Sequence, residues 1–235
     1  MSSEPLLRLE KIGKKFGGLT VLHELSVAVE PGEILGLVGP NGSGKTTTIN
    51  VISGVHRADE GRVLFEGREI QHLPVFRIAR LGINRSFQVP KCFRAMRVRE
   101  NVEVSATFAN RGTVDIEAIL EETGLASHAT AIAGSLTVNQ QKMLDLARAL
   151  ATNPRLLLID EIGAGLNPSE LGGIATLLKS LAARGIALVV VEHLLDFLNR
   201  IADRVIVLGA GRMLFSGSLE AASKDPEVVA AFIGG

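Results

Sequence analysis

Short, uninterrupted apolar runs alternate along this chain with longer segments in which apolar residues recur every three or four positions. Ile34 to Val38, Leu156-Leu157-Leu158-Ile159 and Ile186 to Val191 contain no charged or amide side chain. Such runs predict strands buried on both faces, as in a parallel sheet covered by helices. Leu6-Leu7-Arg8-Leu9 and Leu22 to Val29 also read as strands, the second alternating Leu25, Val27 and Val29, and Pro31-Gly32 turns the chain into the run at Ile34. Arg62 to Ile70, with Glu66-Gly67 inside it, predicts a hairpin flanking the core. A second hairpin is predicted from Val205 to Leu208 through Gly209-Ala210-Gly211 to Met213-Leu214-Phe215. Between Pro154 and Val191 the order is strand, helix (about Ser169 to Ala183) and strand, a right-handed crossover unit.

The middle of the chain has a different pattern. From about Pro90 to Ala133 there is helical spacing and no convincing buried strand; Val98 with Val102, and Ile116 with Leu120, are apolar pairs four residues apart. After Leu136, a helix would carry Met143, Leu146, Ala147 and Leu150 on one face. The expectation is one domain over 1–235 with a helical subdomain inserted at 89–151. No internal repeat or low-complexity segment interrupts it.

Composition narrows the partners. Apolar residues make up 46% of the 235 residues, and Lys+Arg and Asp+Glu stand at 25 each, a balance that gives no support for nucleic-acid binding. The single Cys92 excludes an intrachain disulfide and suits a reducing compartment. Met1-Ser2-Ser3-Glu4-Pro5 lacks the basic and apolar regions of a signal peptide, and 18 apolar residues never run together. These features predict a soluble, cytoplasmic protein and leave peripheral membrane attachment open.

The chemistry begins at Gly39-Pro40-Asn41-Gly42-Ser43-Gly44-Lys45-Thr46, which fits the phosphate-binding pattern G-x-x-x-x-G-K-[ST]. A predicted strand precedes it, and Thr47 to Ile52 follows without a helix breaker. Glycines let successive backbone N–H groups turn toward phosphates, and a helix N-terminus adds partial positive charge. Lys45 would reach the β- and γ-phosphates, and the Thr46 hydroxyl would ligand Mg²⁺. The predicted nucleotide contacts are Gly39, Asn41, Gly42, Ser43, Gly44, Lys45, Thr46 and Thr47. The run at Leu156 ends in Asp160-Glu161. Asp160 could bind Mg²⁺ directly or through water, and Glu161 could orient or deprotonate an attacking water. The alternative for this pair is a plain acidic surface after a strand.

With these motifs in place, the chain resembles the ATP-binding cassette ATPases of membrane transporters over essentially its whole length. The resemblance implies an α/β fold: a P-loop NTPase core with a mostly parallel sheet, a peripheral antiparallel β-subdomain and the inserted helical subdomain. It implies ATP and Mg²⁺ as cofactors and ATP hydrolysis as the activity. Phe16, 29 positions before Lys45, falls where the family stacks an aromatic on adenine, although on its own such a phenylalanine is a core residue at least as readily. Gln88 in Arg85-Ser86-Phe87-Gln88 resembles the glutamine that senses Mg²⁺ and water. His193, after Glu192, resembles the histidine that bonds the γ-phosphate. Ala164-Gly165-Leu166-Asn167-Pro168 matches a loop that crosses the dimer interface. The signature segment falls at Leu136-Thr137-Val138-Asn139-Gln140, 24 residues before Asp160; Leu136, Thr137, Asn139 and Gln140 would serve a nucleotide held by a second ATPase subunit, identical or different. His23, His56, His72 and His128 fall in no motif.

Gly17-Gly18-Leu19, Arg85 to Gln88, Gly165 to Pro168, Glu192-His193 and the stretch from Gly217 to Gly234 are similar to the ATPases of branched-chain amino-acid importers, and Ala133-Gly134-Ser135-Leu136 with Gln140-Gln141 to their G-type subunit. This implies integral membrane permease subunits as partners, a solute-binding protein acting indirectly, no nucleic acid, and a peripheral position on the cytoplasmic face of the cell membrane. Phe93, Arg94, Ala95 and Met96 fall where the family receives a coupling helix of the permease; packing inside the helical subdomain is the other reading. In the signature, Val138 and Asn139 stand where the general pattern has two glycines; a hydrophobic residue at Val138 is familiar in the amino-acid-importer branch, so Asn139 and Ile162 are the departures. Asn139 replaces a glycine whose N–H meets the partner's γ-phosphate; asparagine tolerates left-handed backbone angles, and its amide could replace that bond or block approach. Ile162 replaces a proline and is expected to loosen the loop after Glu161. Other classes stay open: a soluble cassette protein of DNA repair, translation or cluster assembly, a nucleotide-gated subunit with weak turnover, or a small-molecule kinase sharing only the first motif.

Overall fold

The computed structural model describes residues 4–87, 89–109 and 112–233. Inside the strands formed by the continuously apolar runs, neighbouring residues are all buried but enter different cores. Ile34, Leu157, Ile159, Leu188 and Val190 pack on one side of the sheet. Leu35, Leu37, Leu156, Leu158 and Val189 pack on the other. Successive side chains of a strand point to opposite faces, so a strand apolar at every position needs cover on both.

The chain opens with β1 (Leu7–Phe16), β2 (Leu19–Val29) and β3 (Ile34–Val38), then α1 (Lys45–Ile52) and the hairpin β4 (Glu60–Phe65) and β5 (Arg68–Glu69). Next come α2 (Val75–Leu81), β6 (Ile83–Arg85), α3 (Val98–Ala109), α4 (Ile116–Glu122) and α5 (Val138–Leu150). The last part holds β7 (Leu156–Asp160), α6 (Pro168–Ala183), β8 (Ala187–Val191), α7 (Leu195–Ile201), β9 (Arg204–Gly209), β10 (Arg212–Gly217), α8 (Leu219–Ala222) and α9 (Pro226–Ile233). A six-stranded sheet has the order β10-β9-β3-β8-β7-β6, parallel except for β10, which pairs antiparallel with β9. An antiparallel sheet of order β2-β1-β4-β5 covers one face together with α1. The other face carries α6, α7 and the packed helices α3, α4 and α5, through Val98, Val102, Leu120, Leu144, Leu146 and Ala147. The fold is thus the α/β class expected, with β7-α6-β8 as the predicted crossover.

Several boundaries differ from expectation. β1 continues past Leu9 to Phe16, because Glu10, Lys14 and Lys15 are paired across to neighbouring strands and their polarity hides the strand. β6 was not expected; three residues on a sheet edge leave no periodic signal. α1 begins at Lys45, two residues early, directly after Gly44 in the left-handed conformation. Among the described residues no helix is long and apolar enough to cross a membrane.

Candidate nucleotide site

The loop between β3 and α1 is shaped by two glycines that no other residue could replace without movement. A Cβ on Gly39 would sit 2.2 Å from the Leu208 carbonyl oxygen, and one on Gly44 (φ 103°) 2.6 Å from Leu22 Cδ2. Lys45 is buried and folds back over this loop, its Nζ donating to the carbonyls of Gly39 (2.8 Å) and Pro40 (2.9 Å). Burial lowers the pKa of its ammonium, against the opposing pull of Glu161 and Asp160. The Ser43 hydroxyl is buried with no hydrogen-bond partner among the described residues. An unpartnered buried hydroxyl is costly by itself, so a site awaiting acceptor oxygens explains it. Glycine loop, lysine, helix N-terminus and idle hydroxyl together fit a polyphosphate.

This loop is one wall of a cleft of about 160 Å³, lined by Val21, Asn41, Gly42, Gly44, Lys45, Thr46, Thr47, Glu161 and His193. Residues more than a hundred positions apart meet here because β3, β7 and β8 are neighbours and all end on the same edge of the sheet. Asp160 closes β7, buried, with Arg85 Nη2 3.7 Å from its Oδ2. Burial raises its pKa and the guanidinium opposes that rise. Arg85 is itself held by Asn50 of α1, which accepts from Nη1 at 2.7 Å. Glu161 leaves the strand at φ 51°, a strained angle for a non-glycine residue, while its N–H still donates to the Val191 carbonyl at 2.9 Å. His193, just past β8, brings Nε2 within 3.1 Å of Glu161 Oε1. Gln88 lies outside the described residues; its neighbour Phe87 donates its N–H to Asp145 Oδ2 at 2.7 Å.

The remaining expected residues lie away from the cleft. Phe16 is 41% exposed and meets His56 edge-on, with ring centroids 5.0 Å apart, so it is a surface residue and not core. Leu136 is buried, while Thr137 caps α5 in a reciprocal box: its hydroxyl accepts from Gln140 N–H, and Gln140 Oε1 accepts from Thr137 N–H at 2.9 Å. The Gln140 amide nitrogen lies 3.0 Å from His128 Nε2. None of Leu136, Thr137, Asn139 and Gln140 lines the cleft. Asn139 does not use the left-handed angles that asparagine tolerates: it sits in the first turn of α5 and is absent from the positive-φ residues. Its amide is also engaged, Nδ2 donating to Glu170 Oε1 at 2.9 Å. Phe93 is exposed, with the Arg148 guanidinium 4.9 Å from its ring centre; Arg94 and Ala95 are exposed and Met96 half-buried.

The sequence motifs assign no role to Arg85, Lys142, Glu170 or the carboxylate of Glu192. For Lys142 a signal was present. The buried face of α5 includes Lys142, Asp145, Leu146 and Ala149, spaced i, i+3, i+4 and i+7, so a lysine opens an otherwise inward stripe.

The family model described as "ABC transporter" matches residues 22–164. The high-affinity branched-chain amino acid transport ATP-binding protein BraF of Pseudomonas aeruginosa is 32% identical over 99% of both chains, and LivG of Escherichia coli is 33% identical over the same shares. Among solved structures, an ATP-binding cassette of an ABC transporter in its ADP conformation superimposes with a TM-score of 0.87, at 33% identity over 99% of this chain and 100% of that one. A dimeric ATP-binding cassette in a post-hydrolysis state, bound to ADP and Pi, gives a TM-score of 0.81 at 27% identity, over 91% of this chain and 98% of its own. With a phosphate loop, a strand-end carboxylate pair and a facing histidine gathered at one sheet edge, this chain belongs to the ATP-binding cassette family of ABC transporters.

Proposed function

We propose that this chain is the ATP-hydrolysing subunit of an importer for branched-chain amino acids or a similar small solute. The observation that carries the reading is the meeting of Lys45, Thr46, Glu161 and His193 around one cleft. Lys45 would leave the carbonyls of Gly39 and Pro40 for the β- and γ-phosphate oxygens, and Ser43 would gain the acceptor it lacks. Thr46, Asp160 and Gln88 would hold Mg²⁺, whose charge would offset that of the phosphates. Glu161 takes a proton from the attacking water as it adds to the γ-phosphorus and ADP departs. His193, already in contact with Glu161, fixes the γ-phosphate oxygens and the carboxylate in one arrangement. Positioning and charge stabilisation provide most of the acceleration in such a transfer. Phe16, whose ring is exposed, would stack on adenine.

Because Leu136 to Gln140 lies off the cleft, this segment completes the site of a second ATPase subunit, identical or different. The permease would dock against exposed Phe93, Arg94 and Ala95, placing the chain at the cytoplasmic membrane face, with a solute-binding protein acting only through the permease. The bond from Asn139 to Glu170 favours one second reading, a subunit that binds nucleotide but turns over weakly. ATP turnover of the purified chain beside Glu161→Gln decides: loss of turnover with nucleotide binding retained supports hydrolysis at this cleft. Turnover that persists in Glu161→Gln excludes Glu161 as the base.

A further inference from the structure

Two buried charges grip the loop that follows Glu161, and neither lines the cleft. Lys142 of α5 is 8% exposed, and its ammonium donates to the carbonyls of Ala164 (2.6 Å), Ile162 (3.3 Å) and Glu161 (3.4 Å). Glu192, 2% exposed, accepts from Gly163 N–H at 2.6 Å and from His193 N–H at 3.3 Å. The loop from Glu161 to Ala164 therefore has its carbonyls held by one side chain and an N–H by the other. Its fit leaves little room: a Cβ on Gly163 would stand 3.1 Å from Glu192 Oε1 and from Leu171 Cδ2.

A buried ammonium and a buried carboxylate are both costly, so each persists only where its bonds are made. Burial lowers the Lys142 pKa and raises that of Glu192; the Glu192 charge draws Lys142 back toward its protonated form. What they hold in place is the strained backbone of Glu161, at φ 51°, which needs its surroundings to determine it. The family's proline at position 162 would fix φ there by itself. With Ile162 there, the residue itself does not fix φ, and the hydrogen bonds of Lys142 and Glu192 hold the loop.

We infer that Lys142 and Glu192 are positioning residues of the hydrolytic centre, clamping the loop from Glu161 to Ala164 so that the Glu161 carboxylate and His193 face the cleft together. The inference deepens the ATPase reading and rests on it. It also ties the catalytic loop to α5, the helix that presents Leu136 to Gln140.

The test uses the full chain with Lys142→Met, Lys142→Arg and Gly163→Ala, measuring kcat, KM, nucleotide affinity and backbone hydrogen exchange. The expected result for Lys142→Met is a fall in kcat of about 10²-fold, the scale of a misplaced catalytic group, with KM and affinity changed less than about twofold. Exchange at Gly163 and Ala164 speeds up while the loop at Gly39 to Lys45 keeps its protection. Lys142→Arg, which retains donors toward the same carbonyls, regains most of the loss. If Lys142→Met does not fold, Gly163→Ala presses on Glu192 without removing a charge and is expected to show the same split. Unchanged kcat and exchange overturn the clamp, as does a parallel fall of kcat and nucleotide affinity, which marks general destabilisation. A wild type without turnover overturns the ATPase reading instead, and the exchange data then decide the clamp on their own.

Discussion

Asn139→Gly tests stability and function at once. The substitution deletes the 2.9 Å bond from Nδ2 to Glu170, which joins the start of α5 to the capping box of α6, where Glu170 also accepts from Asn167 N–H at 2.8 Å. Hydrogen bonds to a charged group contribute roughly 1.5–3 kcal/mol; partial exposure at this site reduces that to about 1 kcal/mol. Glycine in a helix adds a cost of about 0.4 kcal/mol relative to asparagine. Together these give about 1.5 kcal/mol, which for a domain of this size lowers Tm by roughly 3–6 °C. Turnover is expected to move the other way. Clearing the side chain from the first turn of α5 lets its N–H groups approach the γ-phosphate held by a second subunit, where they act as a helix N-terminus does toward an anion. Thermal melts and steady-state ATP hydrolysis on the same preparations check both, with Asn139→Ala separating loss of the bond from gain of backbone freedom. An unchanged Tm would show that the bond to Glu170 holds nothing. A lower Tm with flat turnover would refute steric blocking, and reduced turnover would assign the Asn139 amide itself as the phosphate donor.

Two further outcomes follow from single side chains. Phe16→Ala removes a ring that is 41% exposed, so Tm should hardly move, whereas the loss of a stacking partner lowers ATP affinity by about 5- to 100-fold in a fluorescence titration; unchanged affinity removes Phe16 from the site. Burial raises the Glu192 carboxyl above its ordinary 4.5, so the folded chain keeps a proton that the unfolded chain has shed. Its contribution to stability is therefore complete below pH 4.5 and is lost as pH rises through the folded value. Urea unfolding at stepped pH should show a shallower decline for Glu192→Gln than for wild type; parallel curves would contradict it.

The parts of this protein that could be read beforehand are those in which local pattern and tertiary role coincide. Leu156 to Ile159 and Ala187 to Val191 are apolar at every position because both faces of their strands are covered, and Gly39 to Thr46 is legible because its glycines and Lys45 shape one continuous loop between β3 and α1. β6 escaped because three residues carry no period, and the second half of β1 because its lysines are satisfied across the sheet by Asp59 and Glu60. Contacts made between distant segments were invisible for the same reason. Nothing near Arg85 announces Asn50 or Asp160, and nothing near Asn139 announces Glu170.

That distinction bears on the two departures from the family pattern. Read locally, Asn139 leaves open whether its amide replaces a hydrogen bond or blocks approach, and Ile162 calls for a looser backbone. In the folded chain Asn139 is ordinary helix, and Ile162 is 3% exposed within the main core, so neither site is disordered by its substitution. Charged side chains on other elements hold both sites: Glu170 receives the amide of Asn139, while Lys142 and Glu192 hold the loop around Ile162. These bonds each need two elements to be in register. Such bonds break when α5 shifts against β7, whereas a proline keeps its φ regardless. The loop bearing Glu161 is consequently sensitive to the position of the signature helix, and substitutions at Lys142 should change turnover more than they change nucleotide affinity.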